Sequence, residues 1–164
     1  MEEAFIREWN NRVGKKEKVY VLGDLGFMGI KRSQEILSRL RGYKIMIVGN
    51  HDHPAHKLLK IGFKEVYENH KIELNNGKLR IDVLLSHFPY YPTPYARFLS
   101  VIKGFRIDTL YLHKRIVDKG EWLLHGHIHN AWKVKARMIN CGVDVWNYAP
   151  VSHDQILKII GENK

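Results

Sequence analysis

Apolar positions along the chain switch between two periods, and the switches mark its elements. Phe5, Trp9 and Val13 recur at helical spacing with Ile6 beside them, which predicts a helix over residues 1–13 closed by Gly14. The run Val19-Tyr20-Val21-Leu22 has no helical spacing and is bounded by Gly23, so it reads as a short buried strand. Ile36, Leu37 and Leu40 restore the helical period over residues 32–41. Gly42 closes that helix, and Ile45-Met46-Ile47-Val48 forms a second strand. This α, β, α, β alternation predicts parallel strands with helices packed on them. A short helix over residues 54–61 follows, with Leu58, Leu59 and Ile61 inward and Gly62 at its end.

From Val66 onward the period moves towards two. Asn75-Asn76-Gly77 lies between residues 70–74 and 79–85, the pattern of a hairpin turn between two strands. Residues 90–104, with Pro92, Pro94 and several aromatics, read as a loop and short helix over one end of the sheet. A helix over 108–117, a strand at Trp122-Leu123-Leu124 and strand character over 134–143 come next. The last helix starts at a capping box, Ser152 with Gln155, and buries Ile156, Leu157, Ile159 and Ile160. No repeat or linker interrupts the 164 residues, so 1–164 is expected to form one α/β domain.

Composition narrows the chemistry. A formal charge of +10 attracts polyanions, phosphate-bearing substrates among them. One cysteine, Cys141, fits a reducing compartment, and the absence of a long apolar run or a signal-like start places the expected location in the cytoplasm with no membrane partner. Ten histidines are many for this length, and they gather in loops after predicted strands. Asp24, Asn50, His87, His127 and His129 each follow such a strand, so one sheet edge is expected to collect a carboxylate, an amide oxygen and three imidazoles. That mixture of oxygen and nitrogen donors suits Mn²⁺, Fe²⁺, Ni²⁺ or Zn²⁺, with Mg²⁺ also admitted.

Gly23-Asp24, Gly49-Asn50-His51-Asp52, Ser86-His87 and Gly126-His127-Ile128-His129 resemble, in order, the second to fifth motifs of the calcineurin-like metallophosphoesterases. Trp9-Asn10 and the tail Gly142-Val143-Asp144-Val145-Trp146-Asn147 resemble its small bacterial and phage-type members. The resemblance implies a β-sandwich flanked by helices and hydrolysis of a phosphodiester or phosphomonoester by metal-activated water. It makes Asp24 a bridging carboxylate, completes one ion site with Asn50, His87 and His127, and gives His129 to a second ion. His51 would protonate the leaving oxygen, with Asp52 orienting its ring.

Two features depart from that family's pattern. No Asp-x-His motif precedes Asp24, and Phe27 stands where many relatives carry a second acidic residue. The chain is therefore expected to lack the family's first strand and loop; a mis-set start, a truncation and a genuine loss each account for that. One firm ion and one labile ion, Mn²⁺ foremost, are expected, and unpaired strand edges would favour a homo-oligomer. Tyr90, Tyr91, Tyr95 and Arg97 are candidates for substrate contact, since aromatics stack bases and arginine forks onto phosphate. His53 and His56 read as a solvated helix start, and His125 as either a ligand's support or a packed strand end.

Two rival readings use the same residues. A catalytically silent protein that keeps the fold for binding would explain the missing first motif, although it has no use for His51 and Asp52. A nuclease or nucleotide- or nucleic-acid-binding protein would explain the charge, and its binding would weaken steeply with ionic strength.

Overall fold

The computed structural model describes residues 2–25, 29–94, 102 and 111–163. It is a mixed α/β fold with two sheets. Strands β1 (Lys18–Val21), β2 (Tyr43–Ile47) and β3 (Glu65–Tyr67) form a parallel sheet in that order. Helices α1 (Glu2–Arg12), α2 (Ile30–Arg39) and α3 (Ala55–Ile61) alternate with these strands. The second sheet contains β4 (Asn69–Asn75), β5 (Arg80–Ser86), β6 (Trp122–His125), β7 (Val134–Lys135) and β8 (Met138–Asn140). Its order is β4-β5-β6-β8-β7, with β5, β6 and β8 parallel to one another and antiparallel partners at both edges. Helix α4 (His153–Glu162) closes the described chain.

Alternation of side chains along the first sheet gives it two apolar faces. Val19, Val21, Met46 and Val66 meet Ile6, Trp9, Ile36, Leu37, Leu58 and Ile61 of the three helices. Tyr20, Leu22, Ile47 and Tyr67 face the other way, onto Leu74, Val83, Leu85, Leu124 and Ile139 of the second sheet, with Ile156, Leu157 and Ile160 of α4 in the same core. The two sheets thus bury one core between them and the helices bury another. Trp9-Asn10 ties the first layer together. Trp9 Nε1 donates to the carbonyl of Arg41 at 3.0 Å, while the Asn10 amide bonds the carbonyl of Arg39 and the amide of Arg41 just past the end of α2.

The expected strands, hairpin and helix ends are present, with three corrections. Leu59 is 48% exposed, because on a seven-residue helix Leu58 and Ile61 share the inward stripe and Leu59 lies a third of a turn away. Strand character over 134–143 is broken by Ala136 at φ 50°, which turns the chain back and makes a hairpin of β7 and β8. Of the helix expected over 108–117, residues 108–110 lie outside the described residues. The remainder is one 3-10 turn, Leu112–Lys114, ended by an extended Arg115.

The capping box at α4 is formed in full: Ser152 Oγ accepts the amide of Gln155, and Gln155 Oε1 accepts the amide of Ser152. Ser152→Ala should cost about 1 kcal/mol, read as a lower urea midpoint at unchanged slope. An unchanged midpoint would show that the cap contributes nothing.

Candidate metal centre

Four loops meet where the carboxyl ends of β1 and β2 in one sheet adjoin those of β5 and β6 in the other. The site therefore straddles the junction of two sheets, where one sheet edge was expected. His87 is its centre. The side chain is 1% exposed, and Nδ1 lies 2.8 Å from the carbonyl of Leu22, which can only accept. In the neutral ring this puts the proton on Nδ1 and leaves Nε2 with a lone pair. Around that lone pair stand Asn50 Oδ1 at 3.0 Å, His127 Nδ1 at 3.2 Å and Asp24 Oδ2 at 3.3 Å. The ligand atoms of Asp24, His87 and His127 all lie within 4.8 Å of one another. Convergence of several electron pairs on so small a space is the donor arrangement that a divalent cation compensates.

The surrounding chain holds these atoms in place at some conformational cost. Asp24, His127 and His129 have φ of 53°, 70° and 47°, a left-handed backbone that side chains other than glycine adopt rarely. Asp24 Oδ1 accepts the amide of His51 at 3.0 Å, which leaves Oδ2 to face the cluster. Burial is the largest influence on the Asp24 carboxyl and opposes ionisation. The adjoining His87 ring and the amide of His51 outweigh it, so the carboxyl sits below its usual range.

Asp52 has a role that the sequence reading did not assign. Its Oδ2 accepts the amides of Asp24 at 2.8 Å and Gly49 at 2.7 Å, and Oδ1 accepts that of Leu25 at 3.1 Å. Those bonds brace the loop after β1 against the loop after β2. His51 is exposed beside the cluster. His129 is 84% exposed on its side chain and 3.5 Å from Asp144.

Other expectations sort differently. Tyr90 is 5% exposed, and its hydroxyl donates to the carbonyl of Glu121 at 2.9 Å, so little of its ring is open to a ligand. Tyr91 is half-buried and its amide bonds the carbonyl of Ile116. Tyr95, Arg97 and Phe27 lie outside the described residues. His125 is a packed strand end: wholly buried, Nδ1 on the carbonyl of Gly126, ring 4.9 Å from Trp132. Phe88 stacks on Tyr111 at 5.3 Å and tilts against the His127 ring at 4.8 Å, forming an aromatic wall.

No family model matches the chain. Among curated proteins, the gene 66 protein of Mycobacterium phage L5 is 30% identical over 96% of this chain and 79% of its own length. The uncharacterized protein MJ1445 of Methanocaldococcus jannaschii is 32% identical over 100% of this chain and 77% of its own. This chain belongs to the family of the phage gene 66 proteins and MJ1445. The gene 66 protein of Mycobacterium phage D29 is a further relative, at 27% identity. Among solved structures, a protein of unknown function from Aquifex aeolicus, AQ665, matches with a TM-score of 0.60 at 25% identity, covering 96% of this chain and 84% of its own.

For this member of the gene 66 family, Asn140 is the residue the sequence reading passed over. It is fully buried at the end of β8, and both ends of its amide are bonded to the loop that carries His127 and His129 and to the following turn. A signal was available: an asparagine inside Met138-Ile139-Asn140-Cys141 must find partners once the strand is buried. Among the described residues, no helix is long and apolar enough to cross a membrane.

Proposed function

We propose that this protein is a metal-dependent phosphoesterase of the calcineurin-like type, its two sheets forming that family's sandwich. The observation that carries the reading is the convergence of Asp24, Asn50 and His127 on the protonless nitrogen of His87. Those four side chains would hold one divalent ion, with Asp24 and His129 serving a second. Bound ions supply Lewis acidity towards phosphoryl oxygen and lower the pKa of water. The chain's own residues do the rest. Asp24 and Asn50 keep their oxygens facing the cluster, His87 has its ring fixed by Leu22, and His51, exposed beside the cluster, would deliver a proton to the leaving oxygen.

Hydrolysis of an aryl phosphodiester with Mn²⁺ tests this. Turnover should depend on added metal and fall by about 100-fold or more in His51→Ala. Calorimetric titration of the 164-residue chain should find one tight ion and one weak one, since four protein ligands serve the first and two the second. Two tight ions would overturn the uneven occupancy. Absence of turnover with Mn²⁺, Fe²⁺, Ni²⁺, Zn²⁺ and Mg²⁺ would favour the silent binding protein.

A further inference from the structure

The turn after β8 meets the histidine loop at two points. The first is main chain. Asn140 Nδ2 donates to the carbonyl of His129 at 2.6 Å and to that of Trp132 at 2.9 Å, while Oδ1 accepts the amide of Gly142 at 2.9 Å. The Asn140 carbonyl in turn accepts Nε1 of Trp146 at 2.8 Å. A fully buried amide so engaged has little freedom to move, and it fixes His129 in its left-handed conformation.

The second point is the ring itself. The 3-10 turn Val143–Val145 brings Asp144 Oδ2 to 3.5 Å from His129 Nδ1. A neutral imidazole carries one N–H, and the partner at one nitrogen decides which nitrogen keeps its lone pair. In water the free side chain favours the proton on Nε2. A carboxylate opposite Nδ1 reverses that preference, because only Nδ1–H can donate to it, and Nε2 is left as the donor atom for a cation. So exposed a pair adds little to folding stability. Selecting between two tautomers of one ring asks much less of it.

We infer that Asp144 is a positioning residue for His129: its carboxylate holds the Nδ1–H tautomer, so that the ring, on a backbone clamped by Asn140, offers Nε2 to the second ion. The second ion rests on the phosphoesterase reading; the tautomer does not. Ring nitrogen shifts of ¹⁵N-labelled, metal-free protein at about pH 8, above the ordinary histidine range, read it directly. Wild type should show Nδ1–H at His129 and Asp144→Ala should revert to Nε2–H, with the thermal midpoint unchanged. In Mn²⁺ titrations Asp144→Ala should weaken the second ion about 10-fold and leave the first untouched, and it should add nothing in a His129→Ala background. An Nε2–H ring in wild type, or the same tautomer in both proteins, overturns the assignment. A switched tautomer with no metal binding by either protein overturns the phosphoesterase reading and leaves the His129–Asp144 pairing standing.

Discussion

Gly49→Ala should abolish tight metal binding while the folded secondary structure survives. A Cβ built on Gly49 would lie 2.3 Å from Asp24 Oδ1 and 2.7 Å from the Asp24 nitrogen, both inside the distance that real Cβ atoms keep. Neither neighbour is free to yield. Asp24 Oδ1 is held by the amide of His51, and the amides of Asp24 and Gly49 share Asp52 Oδ2. The methyl group must therefore part the two loops, and Asp24 leaves the position in which Oδ2 faces His87. Gly23→Ala should act through the same centre, since its Cβ would meet His87 Nδ1 at 2.2 Å and the residue sits at φ 83°. Gly29→Ala is the control, with nothing within 4 Å of the added carbon. Calorimetric titration should show at least about a 100-fold loss of affinity for the first two variants and none for the third, with far-ultraviolet dichroism unchanged in all. Wild-type affinity in Gly49→Ala would show that the two loops move independently and that Asp52 does not brace them.

The same close approach explains why the rim motifs are legible in the sequence. Short apolar runs ended by glycine give both the strand and the close approach that follows it: Gly23 and Gly49 leave the space that His87 and Asp24 occupy. The donor residues were legible for a related reason. Asp24, Asn50, His87 and His127 each stand within three residues of a strand's end, and strand ends are where a fold can aim side chains without breaking its ladder. The capping box at Ser152 is equally local, a matter of three residues' spacing.

What could not be read depends on partners far apart in sequence. Alternation shows that a strand is buried but not which sheet it joins, so the division of β1 to β3 from β4 to β8 stayed hidden, and with it the placing of the site across two sheets. The resemblance gives Asp52 the task of orienting the His51 ring. Its bonds to the amides of Asp24 and Leu25 cross from one loop to another and exist only once β1 and β2 pair. Tyr90 looked like a substrate contact for its ring, and the carbonyl of Glu121 that takes its hydroxyl comes from a segment 31 residues on. Leu59 was misplaced because periodicity averages poorly over seven residues.

Metal-free protein should lose on the order of 3 kcal/mol of stability between about pH 6.5 and pH 4, and His125→Phe should not. Burial drives the His125 pKa from 6.5 down to about 4; the hydrogen bond to Gly126 works the other way, and His87, Arg115 and His127 add to the lowering. As pH falls below 6.5 the unfolded chain takes up a proton at this position that the folded chain refuses until about 4. The unfolded state is therefore favoured progressively across that window, and the stability present above it is lost. Asp24 acts lower down. Its carboxyl is held below 3.8, so its contribution persists through the histidine window and is lost only at more acid pH. Phenylalanine preserves the ring against Trp132 and removes the buried Nε2, which has no hydrogen-bond partner among the described residues. The carbonyl of Gly126 keeps the amide of Ile128 at 2.8 Å, so the substitution orphans nothing there. Urea unfolding in a chelator, at intervals from about pH 7.5 to pH 4, measures the difference, the chelator being needed because metal binding brings its own proton linkage. Parallel slopes for the two proteins would show that His125 takes up its proton as readily folded as unfolded. The strand end beneath the His127 loop would then be open to water.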